Sequence, residues 1–340
     1  MIALEILDDD QEPPLPKFKK LKLQDDDDSS FAFQNPSKRC LHRIHSDLQK
    51  LYQDPIEGIF VVPDDDKANR CHAIILGPSE TPYEYGYFYF LLDFPDQYPH
   101  VPPRVILQTT GGGTVRFNPN LYSCGKVCLS ILGTWNGPSW TPALNIGSVL
   151  LSIQSLMNSF PYHNEPGFES VNRNSKEPRN YNHIIRHETI RVAVLGMVQW
   201  ALTAQQQQPS QQPSQQQQYP SRQGDSPSNN SNQQILPEKL ADLVVESFRA
   251  TSECCQYLCD EYKTLDGKAF QDPYQKNKGT FHFRSLQRRL KEMEQQVSTT
   301  TTISSTALSI SSSSSISSVS HNEQLGRQKS SETSSDDIMM

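Results

Sequence analysis

Leu41, Ile44, Leu48 and Leu51 recur at three- and four-residue spacing, which predicts an amphipathic helix opening after Ser37 and ending at Asp54-Pro55. Arg39, His42, Arg43 and Lys50 fall largely off that stripe and give the helix a partly basic outer face. Four short runs follow at 59–62, 71–76, 86–93 and 105–108, rich in β-branched or aromatic residues and separated by Gly, Pro and Asp clusters. Connections this short imply an antiparallel meander, because parallel pairing needs a longer crossover. Residues 94–103 hold four prolines and read as an extended, stiff loop. Residues 109–141 show little regular pattern, and a stretch that long inside a compact domain is usually functional. Helix resumes at Thr141, a good N-cap, with Pro142 suited to the first helical position. Ile146, Val149, Leu150, Ile153, Leu156 and Met157 then make a broad apolar stripe that Phe160-Pro161 ends.

A further helix is expected over 181–202. It gives way to a Gln/Pro/Ser tract at 205–234 that reads as a flexible insertion. Apolar periodicity returns at Leu240, Leu243, Val244 and Phe248, continues to Leu258 and Tyr262, and recurs over 283–290. The expected organisation is therefore a disordered charged lead-in at 1–36, a core domain at 37–170 and a helical extension at 171–204. The insertion at 205–234, a second helical part at 235–297 and a disordered Ser/Thr-rich tail at 298–340 complete it.

Composition narrows the partners. A net charge of -7 gives no reason to expect nucleic acid. A small cationic run at 17–22 sits between acidic blocks and reads as a solvated mixed-charge tail or a nuclear-import patch. No apolar run approaches the ~20 residues that cross a bilayer, so no membrane is expected. Residues 2–7 are too short for a signal peptide. Seven cysteines without a secreted spacing pattern suit a reducing compartment, cytoplasmic and also nuclear.

Cys128 stands in an irregular loop rich in Asn, Pro and Gly, just before a short apolar run. A structural cysteine more often sits in a regular element, so the position favours function. No histidine lies within eight residues of it on either side. Cysteine hydrolases normally need an adjacent base, whereas thioester exchange swaps one thiolate for another and does not. Transfer therefore fits better than proteolysis. Cys124 and Cys128 form a C-x-x-x-C pair without further ligands at zinc spacing, so no metal is expected. His183 and His187 have metal spacing on a helix, but Arg191 stands where a zinc-hydrolase motif needs histidine, so they read as surface or interface residues. Cys254, Cys255 and Cys259 read as core of a helix.

Asn118-Pro119-Asn120, the eight-residue step to Cys128, and the run Leu129–Leu132 resemble the active-site signature of ubiquitin-conjugating enzymes. The segments 77–83, 98–103 and 140–143 agree in order and spacing, and the likeness covers roughly 38–170. The inserted segment 133–139 and the runs 161–166 and 181–192 are most similar to the Z-type branch, which adds a C-terminal helical region. The resemblance implies an α+β fold, with a four-stranded antiparallel meander flanked by helices and a C-terminal helical extension.

It also implies an activity. Ubiquitin, or in this branch the related modifier FAT10, is accepted from an activating enzyme as a thioester on Cys128. It is then passed to a lysine amine of a protein substrate, usually with a ligase. No cofactor is implied, since ATP is used by the activating enzyme, and the protein is expected to act as a monomer. By position, Asn120 is the motif asparagine, either an amide donor to the developing oxyanion or a brace for its own loop. Glu165 takes the place of a carboxylate that receives the incoming lysine, against the plainer reading of a solvated loop acid. Ser130 holds a position open to regulatory phosphorylation. Arg39, Arg43, His100, Pro142 and Ala143 map to the surface that meets activating enzymes and ligases. Two departures stand out: Asn118 replaces the usual histidine, and His100 replaces a common large apolar residue.

Overall fold

The computed structural model describes residues 36–207, 236–274 and 277–313. Most of the expected lead-in, insertion and tail therefore lies outside the described residues. Helix α1 (Lys38–Gln53) opens on Ser37, whose hydroxyl accepts from the Cys40 amide at 3.2 Å. It buries Cys40, Ile44, Leu48 and Leu51, with Leu41 half-buried beside them. Four strands follow, β1 (Ile59–Pro63), β2 (Arg70–Leu76), β3 (Tyr87–Asp93) and β4 (Arg104–Leu107), paired antiparallel in the order β1-β2-β3-β4. The meander expected from the short connections is the observed sheet.

Every residue of β3 is buried, so both faces of the sheet are covered. Period-two alternation splits the strand between two cores. Phe88, Phe90 and Leu92 face one core with α1, while Tyr87, Tyr89 and Leu91 face the other. Helix α2 (Ile146–Leu156) fills the first core with Ile146, Val149, Leu150 and Ile153. It starts later than the Thr141-Pro142 signal predicts. Thr141 instead closes a turn, accepting from the Leu144 amide at 3.0 Å, and Asn145 with Ser148 forms the capping box that starts the helix. The proline-rich loop at 94–103 is also turned rather than extended. Tyr98 is buried and its hydroxyl donates to the buried carboxylate of Asp47, which draws the loop inward. Amides of Tyr98 and His100 close tight turns on the carbonyls of Pro95 and Gln97.

The second core is built by the extension. Helix α3 (Lys176–Glu188) begins before the predicted 181 and runs through a π-helical segment, Thr189–Gly196, into α4 (Met197–Gln207). The wider turn lets Val192 and Ala193 reach the first core and Ile190, Val194 and Leu195 the second. Helix α5 (Glu238–Glu261) packs Leu240, Val244 and Phe248 there, and Trp200 of α4 meets Tyr89 of the sheet at 5.3 Å between ring centroids. Cys255 and Cys259 are core as expected, but Cys254 is exposed because it falls one position off the buried stripe.

The extension is not all helical. A short hairpin, β5 (Ala269–Gln271) and β6 (Lys278–Thr280), interrupts it. These strands are three residues each and mostly exposed, so they carry no apolar alternation to betray them. Helix α6 (Phe283–Ser313) then buries Phe283, Leu286, Leu290, Met293 and Val297, and its backbone continues helical past 298, where a disordered tail was expected. An existing helix removes the nucleation cost of adding further turns. The described residues up to Val297 belong to one compact unit and those from Ser298 to Ser313 to another.

Candidate active site

The residues 109–141 hold few regular elements, yet they are tightly tied. Leu121 and Asn118 form a bridge, Leu121 also bridges Val127, and Ile106 of β4 bridges Lys126. These contacts fold 118–128 into a tight double turn that carries Cys128 beside Asn120. The Cys128 amide donates to the Asn120 carbonyl at 2.9 Å, and the Asn120 side-chain amide donates to the Cys128 carbonyl at 2.9 Å. The structure thus brings the two sequence-predicted residues together and gives Asn120 the bracing contact. An amide nitrogen has a second hydrogen, so the bracing bond leaves one donor unused.

Asn118 is fully buried, and its side chain organises the site. Its Nδ2 donates to the Tyr83 hydroxyl and the Leu156 carbonyl, each at 2.9 Å. Its Oδ1 accepts from the Asn120 amide at 3.0 Å and from Asn164 Nδ2 at 3.3 Å. The replacement of the family's usual histidine therefore retains a packing role. Behind Cys128, the inserted segment is laced to the loop by Thr134, whose hydroxyl donates to the Val127 carbonyl at 2.7 Å and accepts from the Leu129 amide at 2.9 Å. Ser130 lies half-buried under Gly137, where an added Cβ would come within 2.9 Å of it.

Cys128 is 3% exposed, and burial raises its thiol pKa above the ordinary value. Lys126 and Arg116 oppose that shift electrostatically, and the nearby Tyr122 side chain also favours the thiolate. Sequence reasoning missed both Arg116 and Tyr122. The buried Arg116 guanidinium stacks on the Tyr122 ring at 4.2 Å and donates to the carbonyls of Asn118 and Pro119. It also pairs with Glu165 Oε2 at 3.3 Å. Glu165 is therefore neither free nor merely solvated, since one oxygen is held by a cation that braces the Asn120 loop. Its side chain remains 28% exposed.

The expected partner-facing residues converge at one end of α1. The Arg43 guanidinium is engaged within the fold. It donates to the Pro142 carbonyl at 2.9 Å and the Leu144 carbonyl at 2.7 Å and pairs with buried Asp47 at 2.8 Å. Three acceptors converge on it, so it fixes the 142–144 turn on α1. Trp140 Nε1 donates to the Pro99 carbonyl at 2.7 Å, which joins the proline-rich loop to the same turn. Arg39, His100, Pro142 and Ala143 are exposed. Of the two metal-spaced histidines, His183 lies against the Tyr262 ring and His187 is buried between α3 and the start of α6.

The ubiquitin-conjugating enzyme family model matches residues 43–189, which contain the sheet, Asn120, Cys128 and Glu165. Ubiquitin-conjugating enzyme E2 Z of Xenopus tropicalis is 43% identical over 261 residues, covering 77% of this chain and 73% of the relative. The chain belongs to the ubiquitin-conjugating enzymes. The human protein of the same name is 43% identical over 269 residues, covering 79% of this chain and 67% of its own length. The probable ubiquitin-conjugating enzyme protein 17 of Caenorhabditis elegans matches 46% of the chain at 42% identity. The E2 Z matches reach well beyond the family core, so they include part of the extension that covers the second sheet face. As a ubiquitin-conjugating enzyme, this protein works by thioester transfer, in a family whose general partners are an activating enzyme, ubiquitin and ligases. Such enzymes generally need no cofactor.

Proposed function

We propose that Cys128 is the residue that carries ubiquitin, with Asn120 and Glu165 serving the second transfer. The observation that supports this most is the thiol's surroundings. The backbone of Cys128 is clasped by Asn120 on both sides, and no histidine lies within eight residues of it in the sequence. Such a thiol suits exchange with an existing thioester better than hydrolysis. The Cys128 sulfur attacks the thioester carbonyl on the activating enzyme, a new C–S bond forms, the old one breaks, and the activating enzyme's sulfur leaves with the electron pair. A neutral lysine amine then attacks that carbonyl, the electron pair of the breaking C–S bond returns to Cys128, and the nitrogen gives up one proton to Glu165 or to solvent as the amide forms. The unused hydrogen of Asn120 Nδ2 is available to the oxyanion formed in between. Mixing the chain with activating enzyme, ubiquitin and ATP should give an adduct that reductant removes. No such adduct with any ubiquitin-charging activating enzyme would overturn the reading.

Glu165 Oε1 makes no hydrogen bond among the described residues, which leaves an oxygen to receive the lysine ammonium or its proton. Glu165→Ala is expected to charge normally and to discharge to free lysine roughly ten- to hundredfold more slowly. Equal single-turnover rates would remove Glu165 from the mechanism. The FAT10-like modifier belongs to the same proposal and is supported by the likeness to E2 Z proteins; charging assays with both modifiers test it. The covered sheet faces support a monomer. Seven unpaired cysteines support a cytoplasmic and nuclear location. Ser130, next to the site, is proposed as a regulatory position, and Arg39, His100, Pro142 and Ala143 as partner contacts.

A further inference from the structure

Tyr274 and Asn277, which lie between β5 and β6, join the extension to the Cys128 loop. Asn277 is buried and pairs with the backbone of Arg116 twice: its Oδ1 accepts from the Arg116 amide at 2.9 Å and its Nδ2 donates to the Arg116 carbonyl at 2.7 Å. The pair is equivalent to one rung of a sheet, made by a side chain across 161 residues of sequence. Asn277 is itself fixed, since its amide donates to the buried Asp272 carboxylate at 2.8 Å. From the same segment, Tyr274 sets its ring 5.4 Å from the Arg116 guanidinium carbon, on a cation whose other aromatic neighbour is Tyr122. The Tyr274 hydroxyl donates to the Tyr162 carbonyl at 2.9 Å, and its ring packs on Tyr181 and on Tyr162 and Phe168, which flank Glu165 in the sequence.

We propose that Asn277 and Tyr274 are positioning residues for the transfer reaction, acting through Arg116 and Tyr122 on the Cys128 sulfur and on Glu165. The extension then completes the active site as well as covering the sheet. The sequence of contacts is continuous: Asn277 fixes the Arg116 backbone, Tyr274 and Tyr122 flank its guanidinium, and that guanidinium holds the Asn118 and Pro119 carbonyls of the loop that sets Asn120 on Cys128. Both Arg116 and Tyr122 favour the thiolate over the thiol. Releasing them leaves burial less opposed, so the thiol of a released site titrates at higher pH. The same release frees Glu165 from its bracing cation, which slows discharge.

The proposal rests on Cys128 as the carrier, so its test reads the thiol without ubiquitin as well as with it. Asn277→Ala removes the backbone clasp, and Tyr274→Leu keeps apolar packing but removes the ring from the guanidinium. Gln271→Ala, on the exposed side of the same hairpin, is the control. Alkylation of the full chain by iodoacetamide is followed against pH by mass spectrometry of the Cys128 peptide, which separates it from exposed Cys124 and Cys254. Both variants are expected to move the midpoint up by about half to one unit, which is about three- to tenfold slower alkylation at fixed pH below it. Lysine discharge should fall alongside, with Gln271→Ala unchanged in both. If Asn277→Ala does not fold, Tyr274→Leu decides. Midpoints and discharge within twofold of the unaltered chain, or slower discharge with an unmoved midpoint and a lower melting temperature, would overturn it. A shifted midpoint in a chain that never charges ubiquitin would instead count against Cys128 as carrier and leave the positioning contacts standing.

Discussion

Cys128→Ala removes the reductant-sensitive ubiquitin adduct entirely, and Cys124→Ser leaves it in place. The first part follows because alanine offers no nucleophile, so no fraction of the covalent step survives. The second part matters because Cys124 is exposed, sits four residues away and is the thiol a reagent meets first. A carrier must instead occupy the place where the loop holds it, and the reciprocal Asn120–Cys128 backbone and side-chain bonds hold only one of the two. Cys128→Ser sharpens the result. A hydroxyl near Lys126, Arg116 and Tyr122 has no base to deprotonate it, so charging should be far slower, and the oxyester formed should resist reductant and yield to alkali. Non-reducing and reducing gels of the three variants check all of this at once. An adduct that persists in Cys128→Ala and vanishes in Cys124→Ser would move the carrier to the exposed thiol.

The sequence made Cys128 and Asn120 legible because their relation is local. Eight residues separate them, and an irregular Asn/Pro/Gly stretch already marks the loop. The strands were legible for a similar reason: short turns and dense β-branched and aromatic residues act within a few positions. Arg116, Tyr122, Tyr274 and Asn277 were not legible, because what they do depends on contacts as far as 161 residues apart. No periodicity encodes an asparagine that imitates a strand. Competition between local signals explains the displaced start of α2: Thr141-Pro142 is a sound helix opening, but the Asn145–Ser148 box sits where the apolar stripe begins. Arg43 also has contacts that no local signal showed. Its position off the apolar stripe suggested a free basic face, while two carbonyls and Asp47 converge on it from other parts of the chain.

The largest stability loss is expected from Glu188, at the end of α3. Its carboxylate is 4% exposed and accepts from His187 Nδ1 at 2.9 Å and from Arg191 Nε at 3.0 Å. His187 Nε2 in turn accepts from the His282 amide at 3.1 Å, and Phe270, Phe281 and Phe283 surround its ring. The cluster therefore ties α3 to the hairpin and to α6. Burial acts to raise the Glu188 pKa, but the His187 hydrogen bond and the Arg191 charge outweigh it and hold the group at about 2. Because the folded value lies below the ordinary 4.5, the contribution is complete above about pH 4.5 and is lost as pH falls towards 2. Glu188→Ala leaves Arg191 and His187 without their buried acceptor, and breaking such a pair costs about 3–5 kcal/mol. Chemical unfolding at pH 7, followed by fluorescence of buried Trp200 in the same core, measures that loss. Repeating it down to pH 3 gives the second reading: the variant should lose less stability on acidification than the unaltered chain. Parallel acid slopes would show that the Glu188 pKa is no lower in the folded chain than in the unfolded one, and the cluster would then be held by packing around the His187 ring.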